Sequence, residues 1–147
     1  MKKEFNPYLG PSLDEKSETV FLQHAEKQEE IRYLRSRQLS ENGEKTLLCN
    51  CHPDVVSAYF DCWPLCGTNE PRLIRRKDST LIRKYVKKFS LGKEAQVLFA
   101  QNGRKEDLIF FLRESTYPLY GDTIEALEQR ADANELKTYI SLKNRKL

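Results

Sequence analysis

A unit that recurs every 26 to 28 residues restricts this chain's fold more than any other feature. Leucines open the units at Leu39, Leu65, Leu91 and Leu119, at spacings of 26, 26 and 28. A second apolar pair keeps the same beat as Val56 and Tyr59, Ile82 and Tyr85, Ile109 and Leu112, then Leu136 and Tyr139. Ile31 and Leu34 read as the same pair in a partial first unit. Members three apart share one helical face. The first half of each unit adds Leu47 with Leu48, Leu73 with Ile74, Val97 with Leu98 and Phe99, and Ile124 with Leu127. Each unit therefore predicts two short amphipathic helices.

Helix breakers fall where such hairpins need them. Trp63-Pro64-Leu65 and Tyr117-Pro118-Leu119 set a proline just before an opening leucine, where it stops the preceding helix. Pro71 fits a first helical turn. Cys51-His52-Pro53-Asp54, Asp78-Ser79-Thr80, Asn102-Gly103 and Asp132-Ala133-Asn134 supply turn and cap chemistry inside the hairpins. One such hairpin buries too little to fold alone, whereas a stack shares a continuous core. The expected fold is all-α: a right-handed α-solenoid of four to five antiparallel hairpins. Residues 1–19 read as an N-terminal tail or cap segment and residues 20–147 as a single repeat domain. A capping helix is expected from Val20 to Arg37, and a polar tail from Lys143 to Leu147. Tetratricopeptide and ankyrin periods, about 34 and 33 residues, are too long to match.

The run Leu91-Gly-Lys-Glu-Ala-Gln-Val-Leu-Phe-Ala-Gln-Asn-Gly-Arg-Lys-Glu-Asp-Leu-Ile109 resembles a bacterial family of tandem α-hairpin repeats. That family's units read approximately Leu-x-x-x-Ala-x-x-x-Leu-x-x-x-Gly-x-x-x-x-Ile-x-x-Tyr. The resemblance spans residues 29–142 in register, although the other units depart from it at the alanine and glycine. It implies a curved HEAT-like α-solenoid of largely uncharacterised function, with no catalytic residues to carry over.

Composition narrows the class further. Hydrophobic residues make up 39% of the chain and charged residues 32%, with only six glycines, which suits a solvated helical protein better than a turn-rich β fold. The longest apolar run, Leu108-Ile-Phe-Phe-Leu112, is far shorter than the roughly 20 residues of a spanning helix. No membrane partner is expected. The N-terminus has no apolar stretch of the secretory kind, so a cytoplasmic location is the default expectation.

Cys49, Cys51, His52, Cys62 and Cys66 lie within eighteen residues and form the one weak candidate for a metal site. Their Cys-x-Cys and Cys-x3-Cys spacings differ from the Cys-x2-Cys knuckles of structural zinc, and Cys49 occupies a helical position. Reduced structural thiols are the favoured reading, ahead of zinc or a disulfide. His52 reads as a loop histidine facing water rather than a base for a cysteine nucleophile. Glycine-rich phosphate loops and His-Glu-x-x-His motifs are absent. No cofactor, metal or enzymatic activity is expected.

Charge is distributed unevenly. Residues 66–105 hold 11 basic and 3 acidic side chains, against 8 and 11 before them and 6 and 8 after. Arg72, Arg75, Arg76, Lys77, Arg83, Lys84, Lys87, Lys88, Arg104 and Lys105 form the candidate binding patch, with Lys93 among them in sequence. The nearby aromatics Tyr85, Phe89, Phe99, Phe110 and Phe111 mostly read as core. The leading expectation is a non-catalytic scaffold that binds an unknown, acidic protein partner through a solenoid face and this patch. The second is a helical-repeat protein that binds nucleic acid with the same residues.

Overall fold

The computed structural model describes residues 15–145, and over these the protein is all-helical. Ten helices follow one another: α1 Glu15–His24, α2 Lys27–Ser36, α3 Glu41–Asn50, α4 Pro53–Cys62, α5 Glu70–Arg76, α6 Ser79–Lys88, α7 Lys93–Asn102, α8 Lys105–Glu114, α9 Gly121–Glu128 and α10 Ala133–Arg145. No described helix is long and apolar enough to cross a membrane.

The N-terminal expectation needs correction. In place of one helix from Val20 to Arg37, α1 and α2 form a complete hairpin broken at Ala25 and Glu26. Here α1 begins at Glu15, inside the stretch read as tail; residues 1–14 of that tail, and residues 146–147 at the other end, lie outside the described residues. The break was hidden because no proline or glycine marks it. Glu26 takes the N-cap position of α2 in extended backbone and offers no side-chain cap.

Local chemistry sets most other boundaries. Ser40 caps α3 by accepting from the Gly43 amide at 3.1 Å, and Asp78 caps α6 by accepting from the Leu81 amide at 3.2 Å. His52 caps α4 through Nδ1, which accepts from the Asp54 amide at 3.0 Å, and Pro53 supplies the first helical position. Gly103 closes α7. After α5, Lys77 alone among the described non-glycine residues adopts a positive φ, 57°. That left-handed position turns the chain directly into the cap of α6.

The described chain separates between Asn69 and Glu70 into two compact units. Within the first, α1 packs on α3 and α2 on α4. Within the second, α5 packs on α7 and α7 on α9, while α6 packs on α8 and α8 on α10. Helices of like parity thus stack, so each unit has two helical layers with its apolar side chains between them. The opening leucines Leu39, Leu65, Leu91 and Leu119 are all buried, as are Tyr33, Tyr59 and Tyr85.

The core pair of the second helices sits one residue from the predicted register in two copies. Glu30 with Tyr33, Val56 with Tyr59, Ile82 with Tyr85 and Leu108 with Phe111 are the buried pairs. Ile31 and Ile109 are only half-buried, whereas their predicted partners Leu34 and Leu112 are buried. In α10, Leu136 and Ile140 are buried while Tyr139 is half-buried. Matching on apolar type alone shifted the register, because one copy carries glutamate at a core position and another follows two isoleucine-like choices in tandem.

Candidate functional site

Inside the core, a polar ladder runs at the repeat period. Glu18, Glu44 and Glu70 stand 26 residues apart on α1, α3 and α5, and all three are buried. Tyr33, Tyr59 and Tyr85 stand 15 residues after them on the following helix. Each phenol donates to its glutamate, at 3.3 Å from Tyr33, 2.7 Å from Tyr59 and 2.6 Å from Tyr85. The other carboxylate oxygen accepts the backbone amide 22 residues after the glutamate: Ser40 at 3.0 Å, Cys66 at 2.9 Å and Gly92 at 2.7 Å. One glutamate therefore ties its own hairpin to the loop that opens the next. A buried carboxylate with several neutral donors is tolerated where a lone one is expelled.

Individual rungs carry extra bonds. Ser40 Oγ donates to Glu18 at 2.7 Å, and Asn69 Nδ2 donates to Glu44 at 3.1 Å. Tyr59 also accepts the Leu39 amide at 3.1 Å. Burial, reinforced by the Glu44 carboxylate beside it, raises the Tyr59 phenol and keeps its proton in place as the rung's donor.

In the fourth copy three changes occur together. Gln96 replaces glutamate, Phe111 replaces tyrosine, and Pro118 stands where the amide donor would be. Phenylalanine and proline each remove a donor, so a carboxylate there would lose the groups that hold it. Gln96 instead donates through Nε2 to the Pro118 carbonyl at 3.4 Å and accepts the Tyr120 amide at 2.8 Å. Two additional residues between α8 and α9 bring Tyr120 into that place, which explains the one spacing of 28. In α9 the ladder position falls to Ile124, which is half-buried, while the neighbouring Thr123 is buried and its hydroxyl has no partner among the described residues.

The basic residues are not gathered on one surface. Arg72 and Arg75 are exposed on α5, where Arg75 and Lys93 line a shallow groove against α7 with Glu94, Val97, Leu98 and Gln101. Lys84, Lys87 and Lys88 lie on α6, in the other layer; Lys87 and Lys88 are exposed and Lys84 is half-buried. Arg76, Lys77 and Arg104 mark the loop edge between the layers.

Several of these cations have internal partners. Arg83 Nε donates to Asp107 at 2.9 Å, a carboxylate only 3% exposed that also accepts from Ser79 Oγ at 2.7 Å. Arg104 reaches the same cluster through Ser79 Oγ at 3.2 Å. Lys105 pairs with Glu135 at 2.7 Å and Lys93 with Asp122 at 3.0 Å. The Glu135 carboxylate beside it raises the Lys105 ammonium above its ordinary value. Arg83 and Lys88 also lie over the half-buried rings of Phe110 and Phe89, at 5.5 and 5.4 Å.

The cysteines are likewise dispersed. Cys51 is buried, with Sγ directed to the Leu22 carbonyl at 3.5 Å and to Glu30 Oε2 at 3.7 Å. Cys66 sits in the α4–α5 loop against Thr68 and Asn69, while Cys49 and Cys62 are exposed on separate helices. None of the four forms a disulfide. Among the described residues no group of three His, Cys, Asp or Glu side chains is placed to hold a metal. His52 is exposed and uses Nδ1 as the cap of α4.

Apolar periodicity does not reveal the ladder, because its carboxylates are polar residues in core positions. Its signal was present: Glu18, Glu44, Glu70 and Gln96 repeat at an unbroken interval of 26. No protein family, curated protein or solved structure matches this chain.

Proposed function

We propose that this protein is a non-catalytic binding module: a right-handed, HEAT-like α-solenoid in the cytoplasm that holds a protein partner on an outer helix face. The observation that carries this reading is the Glu–Tyr ladder. Its carboxylates, phenols and loop amides are spent on fixing one helix to the next. Within each unit such a frame holds outer helical faces in place while their residues differ from copy to copy, which is how repeat proteins present recognition surfaces.

The test is affinity capture of the full chain from its native cell, with mass spectrometry and nucleic-acid staining of the eluate. Enrichment of a protein over a tag-only control is the expected result. Recovery of nucleic acid that high salt removes, with no protein enriched, overturns this reading in favour of a nucleic-acid binder.

A further inference from the structure

The α5–α6 hairpin is strongly basic. Residues 70–89 hold eight basic side chains and only two acidic ones, Glu70 and Asp78. Both acids are committed internally: Glu70 is the buried acceptor of Tyr85 and of the Gly92 amide, and Asp78 caps α6. Within α6 itself there is no acid at all. Arg83 with Lys87, and Lys84 with Lys88, are like charges at the i, i+4 spacing, a placement that disfavours an isolated helix. The neighbouring α8 is different, mixing Lys105 and Arg113 with Glu106, Asp107 and Glu114.

Resting on the binding-module reading, we infer that the outer face of α6, carrying Lys84, Lys87 and Lys88, docks an acidic segment of the partner protein. Lys84 lies about one turn before Lys87 and Lys88, so carboxylates at helical spacing on a partner would meet them in register. Arg83 sits beside them but is anchored by Asp107, so it shapes the edge of the face. Two observations favour an acidic protein segment over a nucleic-acid strand. The half-buried rings nearest this face, Phe110 and Phe89, already have Arg83 and Lys88 over them, so they are occupied rather than presented for stacking on bases. Arg72 and Arg75 belong to the opposite layer and do not extend the α6 lysines into a continuous track for phosphates.

The experiment uses the full chain and a fluorescein-labelled peptide rich in Glu and Leu, titrated by anisotropy at low salt, with an oligothymidylate of similar charge as comparison. Wild type binds the peptide more tightly than the oligonucleotide. The K84E/K87E/K88E variant loses at least about tenfold in affinity, while R72E/R75E stays within about twofold. Circular dichroism checks folding, and K84Q/K87Q/K88Q replaces the reversal variant if that one does not fold. The proposal is overturned by no peptide binding to wild type, by tighter oligonucleotide binding, or by equal losses in the two variants. A partner captured equally by wild type and the α6 variant also overturns it and leaves the binding-module reading standing. Failure of wild type to capture any protein removes that broader reading itself.

Discussion

The phenol of Tyr85 donates to the carboxylate of Glu70 at 2.6 Å, and the same carboxylate accepts the Gly92 amide at 2.7 Å. The residues that Gln96 and Phe111 put in the corresponding positions supply a natural control for this pair. Tyr85→Phe leaves the buried glutamate short of a donor and should destabilise by about 1–3 kcal/mol. Glu70→Gln should cost a similar amount, because the new amide group meets a phenolic donor. Their double substitution makes two of the three changes that the fourth copy carries and removes the buried acid together with its phenol, so the two costs should not add. Urea denaturation of the four proteins measures the coupling, and strict additivity would contradict an energetic link between the two side chains.

Glu30 occupies the core position that other copies fill with Val56, Ile82 and Leu108, and its near neighbour is the Cys51 thiol. Burial pushes its carboxyl up from 4.5 to about 7, partly offset by the Cys51 contact. The folded protein thus holds a proton there that the unfolded chain releases near 4.5. Stability should fall as pH rises from about 4.5 to about 7 and level off above, by up to roughly 3 kcal/mol at 1.36 kcal/mol per pKa unit. In Glu30→Gln that component of the pH dependence should vanish from melting curves taken across the same range.

Gly43 lies in the first turns of α3, where alanine ordinarily gains up to about 1 kcal/mol. A Cβ at this position would collide with Oε1 of Glu18, which the Ser40 amide and hydroxyl and the Tyr33 phenol hold in place through its carboxylate. Gly43→Ala should therefore lower the melting temperature. In a Glu18→Ala background the same substitution should be neutral or stabilising, since the obstructing carboxylate is gone.

Arg83 and Lys87 are both cations of α6, yet they should respond differently to truncation. Arg83→Ala removes a charged donor from a carboxylate that is 3% exposed and should cost about 1.5–3 kcal/mol. Lys87→Ala, at an exposed position, should stay within about 0.5 kcal/mol. Chemical denaturation of the two variants makes the comparison, and equal effects would remove Asp107 as the reason for Arg83.

Helix spacing, cap residues and the buried opening leucines were legible because they depend on neighbours close in sequence. Ser40, Asp78 and Gly103 act within a few residues of where they stand. Apolar periodicity was weakest at Glu30 and Ile109, where one copy places an acid in the core and another places isoleucine beside the buried position. The ten-residue basic set looked continuous because sequence compresses two antiparallel helices into one run. In three dimensions α5 and α6 belong to different layers, and Asp107, contributed from α8, ties Arg83 down by an internal ion pair.

By itself the sequence determined that this chain forms short paired helices at a fixed period, since 3.6-residue periodicity and chain-breaking residues act locally. Only the tertiary structure decided which charges remain outside. Whether Glu70 is a surface acid or a buried staple depends on a tyrosine 15 residues away and an amide 22 residues away. Those partners meet only when the hairpins pack, because burial and hydrogen bonding are properties of the assembled core.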